Sequence, residues 1–327
     1  MKIGLYSITY LGIWYRGRAL PLSELVDRAA AAGFDGIELD GKRPHGNPMD
    51  WDERDRAAFR DRCGERGLEV VGVASNNDFA SPVPEHRECQ LLMVREQVRL
   101  CRDLGGRAVR LFFAWPGVTL DADGLAAYEI ARTIWAEASR FSTRRQQWDH
   151  VRTCLREAAR FAEDAGVTLA LQNHAPLLRH YRDMLDMIDE VDSPALRACL
   201  DVPILERQDD AYVRQAVLET GALQALSHFG GEFERGPDGR VRPFEYDFGR
   251  GVPNYPTFVR ALKEVGYDGY LSYEFCHPAL DRRHRVQGLE RIDEQARLAL
   301  EYLRHLLVAE GASTGRAGRA ALAGAGR

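Results

Sequence analysis

Eight short apolar runs with strand-like composition alternate with longer amphipathic stretches along this chain of 327 residues. The runs are "KIGLYSI" (2–8), "GIELD" (36–40), "LEVVGVAS" (68–75), "RAVRLFF" (107–113), "VTLALQN" (167–173), "LRACLDV" (196–202), "LQALSHF" (223–229) and "GYLSYEF" (269–275). The stretches between them place apolar residues at i, i+3, i+4 and i+7, which is the spacing of an amphipathic helix. Strands that alternate with helices pair in parallel through right-handed crossovers, so the pattern predicts an α/β fold.

Eight such units favour a closed (β/α)8 TIM barrel over an open, doubly wound sheet. The first strand-to-helix loop contains no G-x-G-x-x-G, so nothing supports a dinucleotide-binding sheet. We predict a barrel over residues 1–308, with insertions at 114–147 and 230–254 that follow the carboxyl ends of strands, where the active sites of such barrels lie. The Gly/Ala/Arg-rich end of the chain, 309–327, is predicted to be a disordered tail.

Composition excludes several classes of protein. The net charge of -5 argues against a nucleic-acid surface, which needs a basic patch. No stretch approaches the roughly 18 apolar residues of a membrane span, and the chain starts directly as a strand, so we expect a cytoplasmic protein. The six cysteines include no C-x-x-C pair, which argues against a zinc ribbon and favours reduced, mostly buried thiols.

Polar residues stand at or near the carboxyl ends of the last four predicted strands: Gln172, Asp201, His228 and Glu274. Each one alone fits a turn, a helix cap or a hydrogen-bonded core position. In a barrel, however, these strands are consecutive neighbours, so their ends converge on one side of the mouth. Three oxygen donors and one nitrogen suit Mn²⁺, Mg²⁺ or Co²⁺. Zinc is less expected, because the set has no thiolate and only one imidazole.

Five segments, "AAGFDGIELD", "GVTLALQNH", "LRACLDV", "LSHFGG" and "GYDGYLSYEF", resemble the sugar phosphate isomerase/epimerase superfamily with its xylose isomerase-like barrel. The resemblance covers about residues 1–305. It implies a divalent metal, most readily Mn²⁺, on Gln172, Asp201, His228 and Glu274. Members of the superfamily include ketose 3-epimerases, hydroxypyruvate isomerases, sugar dehydratases and the metal-bearing subunits of C-glycoside deglycosidases. The superfamily commonly has Glu at position 172. Gln172 keeps an oxygen donor but cannot take a proton.

The resemblance further implies proton abstraction next to a carbonyl through an enediolate, with Glu274 as the base. His174 is the expected second proton carrier, because it shares a strand face with Gln172 and an imidazole titrates near neutral pH. Other candidates for substrate binding, most of them near strand ends, are Glu38, Arg110, Trp115, Glu232 and His277.

Three functions therefore stay open at this stage. The first is a metal-dependent isomerase or epimerase of a sugar or keto-sugar. The second is a lyase that uses the same enolization, either a C-glycoside deglycosidase acting on 3-keto glycosides or a sugar dehydratase. The third is a non-catalytic sugar-binding or partner subunit, which the loss of a carboxylate at Gln172 motivates. We expect a homo-oligomer, or a hetero-oligomer with a small second subunit.

Overall fold

Twelve strands lie in the described part of the chain, residues 1–244 and 252–316 of a computed structural model. Their bounds are β1 (Lys2–Tyr6), β2 (Gly36–Asp40), β3 (Glu69–Ala74), β4 (Ala108–Leu111), β5 (Thr119–Leu120), β6 (Ala126–Ala127), β7 (Thr168–Gln172), β8 (Leu196–Cys199), β9 (Gln224–Gly230), β10 (Phe233–Arg235), β11 (Val241–Pro243) and β12 (Tyr270–Glu274). Eight of them form a closed barrel in the order β1-β12-β9-β8-β7-β4-β3-β2, with all neighbours parallel. Each predicted run coincides with one barrel strand, so the predicted (β/α)8 barrel is confirmed.

Nine α-helices accompany the strands within these ranges: α1 (Leu22–Ala32), α2 (Glu53–Glu65), α3 (Pro84–Asp103), α4 (Tyr128–Ser139), α5 (Arg144–Ala165), α6 (Tyr181–Val191), α7 (Asp210–Thr220), α8 (Tyr255–Glu264) and α9 (Leu289–Ala309). In α5, Leu155, Ala158 and Ala162 are buried, a spacing that turns one face of the helix toward the barrel. Helix α5 ends at Gly166 with φ 66°, and α1 ends at Gly33 with φ 98°. Glycine adopts this left-handed conformation without steric penalty, which is why each helix can end there.

The barrel strands are buried on both faces, as parallel strands covered by helices are. Leu169 and Leu171 of β7 belong to the main core between strands and helices. Ala170, between them, belongs with Cys199 to a second and smaller apolar cluster. Because successive side chains of a strand alternate, this second cluster fills the barrel interior below the mouth.

Both predicted insertions follow the carboxyl ends of barrel strands. After β4, the first insertion carries the β5–β6 hairpin and α4. After β9, the second carries the β10–β11 hairpin, and its residues 245–251 lie outside the described ranges. Both insertions therefore extend the loops on the side of the barrel where we expect the site.

The end of the chain stays on the barrel further than the predicted boundary at 308. Helix α9 runs to Ala309, and the backbone N–H of Thr314 donates to the carbonyl oxygen of Met1 at 2.9 Å. The backbone N–H of Arg316 donates to the carboxylate of Asp35 at 2.7 Å. Residues 309–316 are thus placed, contrary to the predicted disorder, because backbone hydrogen bonds hold them; residues 317–327 lie outside the described ranges. No helix in those ranges is long and apolar enough to cross a membrane.

Candidate metal centre and active site

Three of the four predicted ligands meet at the carboxyl ends of β7, β8 and β9. The side-chain amide of Gln172 donates to Oδ2 of Asp201, and its nitrogen lies 3.3 Å from Nδ1 of His228. Nδ1 of His228 lies 3.0 Å from the same carboxylate oxygen of Asp201. All three side chains are buried. The convergence that the sequence predicted from strand order therefore takes the form of direct contact.

A fourth residue of this group is Cys199, which the sequence analysis treated only as a buried thiol. Its Sγ lies 3.4 Å from Oδ1 of Asp201 and 3.8 Å from Nδ1 of His228. One ligand atom from each of these three residues lies within 4.8 Å of the others, a spacing that can hold a metal ion. The signal in the sequence is the spacing C-x-D in "CLD", because residues two apart on a strand point to the same face. We refer to Gln172, Cys199, Asp201 and His228 as the polar cluster.

Glu38 closes the far side of His228. Its carboxylate oxygens lie 3.0 Å and 3.1 Å from Nε2, and both side chains are fully buried. Burial lowers the pKa of His228, but Glu38 and Asp201 outweigh it and raise that pKa well above its ordinary value. Glu38 was predicted to bind substrate. In the structure its carboxylate holds the imidazole of His228 across the barrel interior, and its predicted contact with substrate stays a prediction.

The amide oxygen of Gln172 is buried and has no hydrogen-bond partner among the described residues. Buried polar atoms are almost always satisfied, so such an oxygen indicates a missing donor or cation. The cluster as a whole offers one amide oxygen, one carboxylate, one imidazole and one thiol. These donors fit a divalent metal ion.

Glu274, the fourth predicted ligand, ends β12 near this cluster but does not join its hydrogen bonds. Within residues 1–244 and 252–316, no hydrogen bond or ion pair engages its carboxylate. Burial raises the pKa of Glu274 to about 6. A carboxyl group with a pKa near 6 and no hydrogen bond in the described ranges can take up and release a proton near neutral pH.

His174 lies beyond the end of β7 and packs against aromatic rings. Its ring centroid is 5.0 Å from that of Phe112 and 5.2 Å from that of Trp115. Nδ1 contacts the carbonyl oxygen of Ala175, so this nitrogen carries the proton and Nε2 is left to accept one. Burial lowers the pKa of His174 to about 4, which favours a neutral ring near pH 7. These surroundings suit a proton acceptor or a hydrogen-bonding group better than an acid.

Arg110 is a buried cation on β4, the strand that pairs with β7. Its guanidinium carbon lies 4.0 Å from the ring centroid of Phe112, and Trp115 stacks on that ring at 4.8 Å. Nη2 donates to the hydroxyl of Tyr6 at 2.9 Å, and Nη1 donates to the carbonyl oxygen of Ser75 at 3.1 Å. Nε has no partner among the described residues. One N–H of a buried cation is therefore left to bind another group.

Glu232 and His277, two further candidates for substrate binding, line a different cavity of about 990 Å³. It lies between the β9–β10 segment and the loop before α9, and Arg291 of α9 pairs with Glu232. No residue of the polar cluster lines this cavity within the described ranges. The strand ends that carry Glu232 and His277 therefore lead away from the cluster, and the structure does not bring these two residues to it.

A family model of xylose isomerase-like TIM barrels matches residues 26–306, and the chain belongs to this family. The resemblance found in the sequence is thereby confirmed. Among similar solved structures is a D-psicose 3-epimerase from Clostridium cellulolyticum H10 with D-tagatose, at 18% identity, 94% coverage of this chain, 99% of that chain and a TM-score of 0.66. An L-ribulose 3-epimerase matches at 22% identity, 98% and 96% coverage and a TM-score of 0.62. A 3-keto-D-glucoside 4-epimerase from E. coli matches at 18%, with 91% and 99% coverage and a TM-score of 0.62.

Proposed function

We propose that this protein is a divalent-metal-dependent isomerase or epimerase that moves a proton next to a carbonyl of a sugar or keto-sugar. The observation that carries the proposal is the polar cluster at the carboxyl ends of β7, β8 and β9, with Glu274 at the end of β12. Support comes from the family and from the sugar epimerases whose barrels match this chain over more than nine tenths of its length.

Gln172, Asp201 and His228, with Glu274, would hold the metal, and Mn²⁺, Mg²⁺ and Co²⁺ are the ions that these donors suit. When bound, such an ion supplies a Lewis acid that polarises a carbonyl or neighbouring hydroxyl oxygen. Gln172 contributes no charge to this set. The buried amide oxygen without a partner is the donor that an ion would satisfy.

The proton would move to Glu274, since its carboxylate is the one in the group without hydrogen bonds among the described residues. His174 would assist through Nε2, as an acceptor or by orienting the substrate, because its Nδ1 is engaged with its own backbone. Arg110 would bind a substrate oxygen with its free Nε–H. Trp115 and Phe112 would cover the face of a sugar ring.

A lyase is the second candidate, and Gln172 is the observation that favours it. Epimerization with one carboxylate on each face of the substrate needs two carboxylates, whereas a Gln cannot accept a proton. Elimination from an enediolate needs one base and a leaving group, so Glu274 would suffice. The 3-keto-D-glucoside 4-epimerase among the similar structures makes a 3-keto glycoside a reasonable test compound. A non-catalytic sugar-binding or partner subunit is the remaining candidate.

The decisive experiment measures bound metal by mass spectrometry and solvent-deuterium exchange into D-tagatose, D-psicose, L-ribulose and a 3-keto glucoside by NMR. Exchange with an inverted product supports the epimerase, and exchange with release of the aglycone supports the lyase. Bound metal without exchange supports a binding subunit. A protein with neither metal nor exchange overturns the proposal. The cytoplasmic location and the homo- or hetero-oligomeric assembly stay predictions.

Gln172→Glu tests the position of this residue directly. We expect metal affinity to rise by roughly tenfold, equivalent to about 1.4 kcal/mol, because a charged ligand replaces a neutral one. Gln90→Glu, on the outer helix α3, adds the same charge away from the site and serves as the control. Equal affinities of the two variants would place Gln172 outside the metal site.

A further inference from the structure

We propose that Cys199 is a ligand of this metal site, and that the site therefore prefers Zn²⁺ or Co²⁺ to Mn²⁺ or Mg²⁺. The inference rests on the proposed metal-dependent function and names the class of metal. It departs from the expectation drawn from the sequence, which disfavoured zinc because no thiolate was among the four strand-end residues.

The position of Cys199 follows from strand register. Cys199 is the register partner of Gln172 across β7 and β8, and it precedes Asp201 by two residues. Neighbouring positions in register, and alternate positions along one strand, present side chains to the same face. The thiol, the carboxylate and the amide are therefore all directed to the barrel interior, where His228 meets them.

The spacing of the donor atoms matches a tetrahedral site. Zinc bonds of about 2.3 Å to sulfur and about 2.0–2.2 Å to nitrogen or oxygen put neighbouring ligand atoms roughly 3.3–3.6 Å apart. The observed separations are 3.4 Å between Cys199 Sγ and Asp201 Oδ1, and 3.8 Å between Sγ and His228 Nδ1. Nδ1 of His228 and Oδ2 of Asp201 lie 3.0 Å apart. These separations involve both carboxylate oxygens of Asp201, so binding one ion would require one of these oxygens to face Cys199 and His228 together.

Gln172 supplies the fourth position. Its amide nitrogen is the atom that faces His228, at 3.3 Å, while its amide oxygen is buried without a partner in the described chain. A half-turn of the amide exchanges its nitrogen and oxygen. The oxygen then lies beside the metal-ligand atoms of His228 and Asp201. A neutral amide oxygen is the weakest of the four ligands, so this is the position at which a substrate oxygen would enter, and catalytic zinc sites keep one such position.

Glu38 supports the same assignment from the other side of the imidazole. Metal-binding histidines usually donate their second ring N–H to a carboxylate, which fixes the tautomer and raises ligand basicity. Nε2 of His228 lies 3.0 Å from the buried carboxylate of Glu38, so Nδ1 is the nitrogen left for the metal. Nδ1 is also the nitrogen that faces Cys199.

Charge gives a third reason. Gln172 is neutral, so Asp201 is the one anionic residue among the three predicted ligands that meet. Burial and the neighbouring Asp201 raise the pKa of the Cys199 thiol, which donates to Asp201, so a bound metal ion would have to displace this proton. The resulting thiolate would supply a second negative charge, and soft thiolate donors select zinc and related ions over magnesium and manganese. Glu274 is then not needed as a ligand and stays available for the proton.

The test loads the metal-free protein with Co²⁺ and records its absorption spectrum. We expect an intense near-ultraviolet band from sulfur-to-cobalt charge transfer, together with visible bands typical of tetrahedral cobalt. A second titration compares Zn²⁺ and Mn²⁺ in the wild type and in Cys199→Ser. Most nitrogen and oxygen sites already bind Zn²⁺ more tightly than Mn²⁺, so the expected result is that the preference for Zn²⁺ falls at least about tenfold in the variant.

Cys199→Ser is expected to lose the charge-transfer band and to bind Zn²⁺ at least about tenfold more weakly, since the loss of even an outer-shell group costs 10–100-fold. Cys101→Ser is the matched control. Cys101 is also a buried thiol, but its Sγ donates to the carbonyl oxygen of Ala108 outside the cluster. The control should keep the band and the affinity.

The outcomes separate this inference from the proposed function. Bound cobalt without a charge-transfer band in the wild-type protein overturns the role of Cys199 and leaves the metal-dependent enzyme standing. A band that survives in Cys199→Ser has the same meaning. Failure of the wild-type protein to bind any of the ions overturns both. The wild-type spectrum needs no variant, so the inference is testable even if Cys199→Ser folds poorly.

Discussion

Two neighbouring regions of the barrel mouth carry charge in opposite ways. In one, β7, β8 and β9 bring acidic, amide, imidazole and thiol groups into mutual contact in the polar cluster. In the other, β4, which pairs with β7, places a buried cation, Arg110, against the ring of Phe112 at 4.0 Å, with Trp115 stacked beyond it. We call these residues, with His174, the aromatic side.

The contrast suggests separate roles for the two regions, metal binding at the polar cluster and substrate binding at Arg110 and its aromatic neighbours. In the proposed function, the ligand atoms that converge within 4.8 Å, with a buried amide oxygen that has no partner in the described chain, would hold the cation. The guanidinium of Arg110, whose Nε–H has no partner among the described residues, would bind the polar, ring-shaped substrate. Glu274, on β12, has a carboxylate near the cluster that makes no hydrogen bond in the described chain, and burial raises its pKa to about 6. It would exchange a proton with a substrate bound between the cluster and Arg110.

The largest effect is expected at Glu274. We expect Glu274→Gln to lower the rate of deuterium exchange by about 10²–10⁴-fold, because a positioned general base contributes that much. Metal content, measured on the same samples, should stay close to that of the wild type if Glu274 carries the proton and Cys199 completes the ligands. The exposed Glu157→Gln on α5 is the control. A loss of metal equal to the loss of rate would mean that Glu274 holds the metal, as the proposed function has it, and would overturn Cys199 as the ligand that makes Glu274 unnecessary.

Arg110→Lys probes the aromatic side alone. Lysine keeps the charge but loses the planar fork that stacks on Phe112. We expect KM to rise by roughly 10–100-fold, because a hydrogen bond to a charged group contributes about 1.5–3 kcal/mol. Metal affinity should not change. Arg107→Lys, at the position just before the first residue of β4, is the matched control. A large change in metal affinity would show that the two sides are not independent.

Glu38→Gln probes the polar side without touching its donors. The amide can still accept from Nε2 of His228, but it no longer raises the basicity of the ring. We expect metal affinity to fall by about 10–100-fold while KM for a bound sugar stays similar. The exposed Glu24→Gln on α1 is the control. An increase in KM with intact metal affinity would return Glu38 to the role in substrate binding that the sequence predicted.

A last prediction lies outside the site and concerns Asp78, in the loop after β3. The imidazole of His228, with other hydrogen bonds, overcomes burial and lowers the pKa of Asp201. Burial instead raises the pKa of Asp78 to about 6, although its carboxylate accepts from the backbone N–H of Ala80. Stability from Asp78 is therefore fully present below the unfolded pKa and is lost as the pH rises through about 6.

At pH 8, Asp78→Asn should therefore have a higher free energy of unfolding than the wild type, by up to about 3 kcal/mol, and a higher melting temperature. At pH 4 the two proteins should melt at similar temperatures. Thermal melts at the two pH values measure this difference. Asp189→Asn on the exposed face of α6 should show no such pH dependence. A constant gap between wild type and Asp78→Asn would mean that burial of Asp78 does not control its titration.

The sequence was sufficient for the fold because strand and helix periodicity is local. The run "GIELD" is the whole of β2, and Gly33 and Gly166 end helices α1 and α5, since each of these features depends on a few neighbouring residues. Strand order was also sufficient to bring Gln172, Asp201 and His228 together. It relies on the rule that parallel strands in a barrel follow one another around the axis.

Contacts across the barrel could not be predicted from the sequence. Glu38 and His228 are 190 residues apart, and only closure of the barrel puts their side chains 3.0 Å apart. The same holds for Cys199: its thiol looks like any core position until the register with β7 and the direction of His228 are known. Glu232 and His277 line a cavity that no residue of the polar cluster lines in the described ranges, and their role in substrate binding stays a prediction. Loops after a strand can turn toward the barrel axis or away from it, so the sequence does not decide their direction.

What the amino-acid sequence determined by itself was the barrel, its eight strands and the side on which its polar residues gather. Those properties follow from periodicity, burial and the handedness of crossovers, which act over short stretches of chain. The tertiary structure alone decided which atoms face each other: the thiol of Cys199 toward the imidazole, the carboxylate of Glu38 behind it, and Glu274 without a described partner. The identity of a metal site depends on distances of a few tenths of an ångström, and only the packed barrel fixes them.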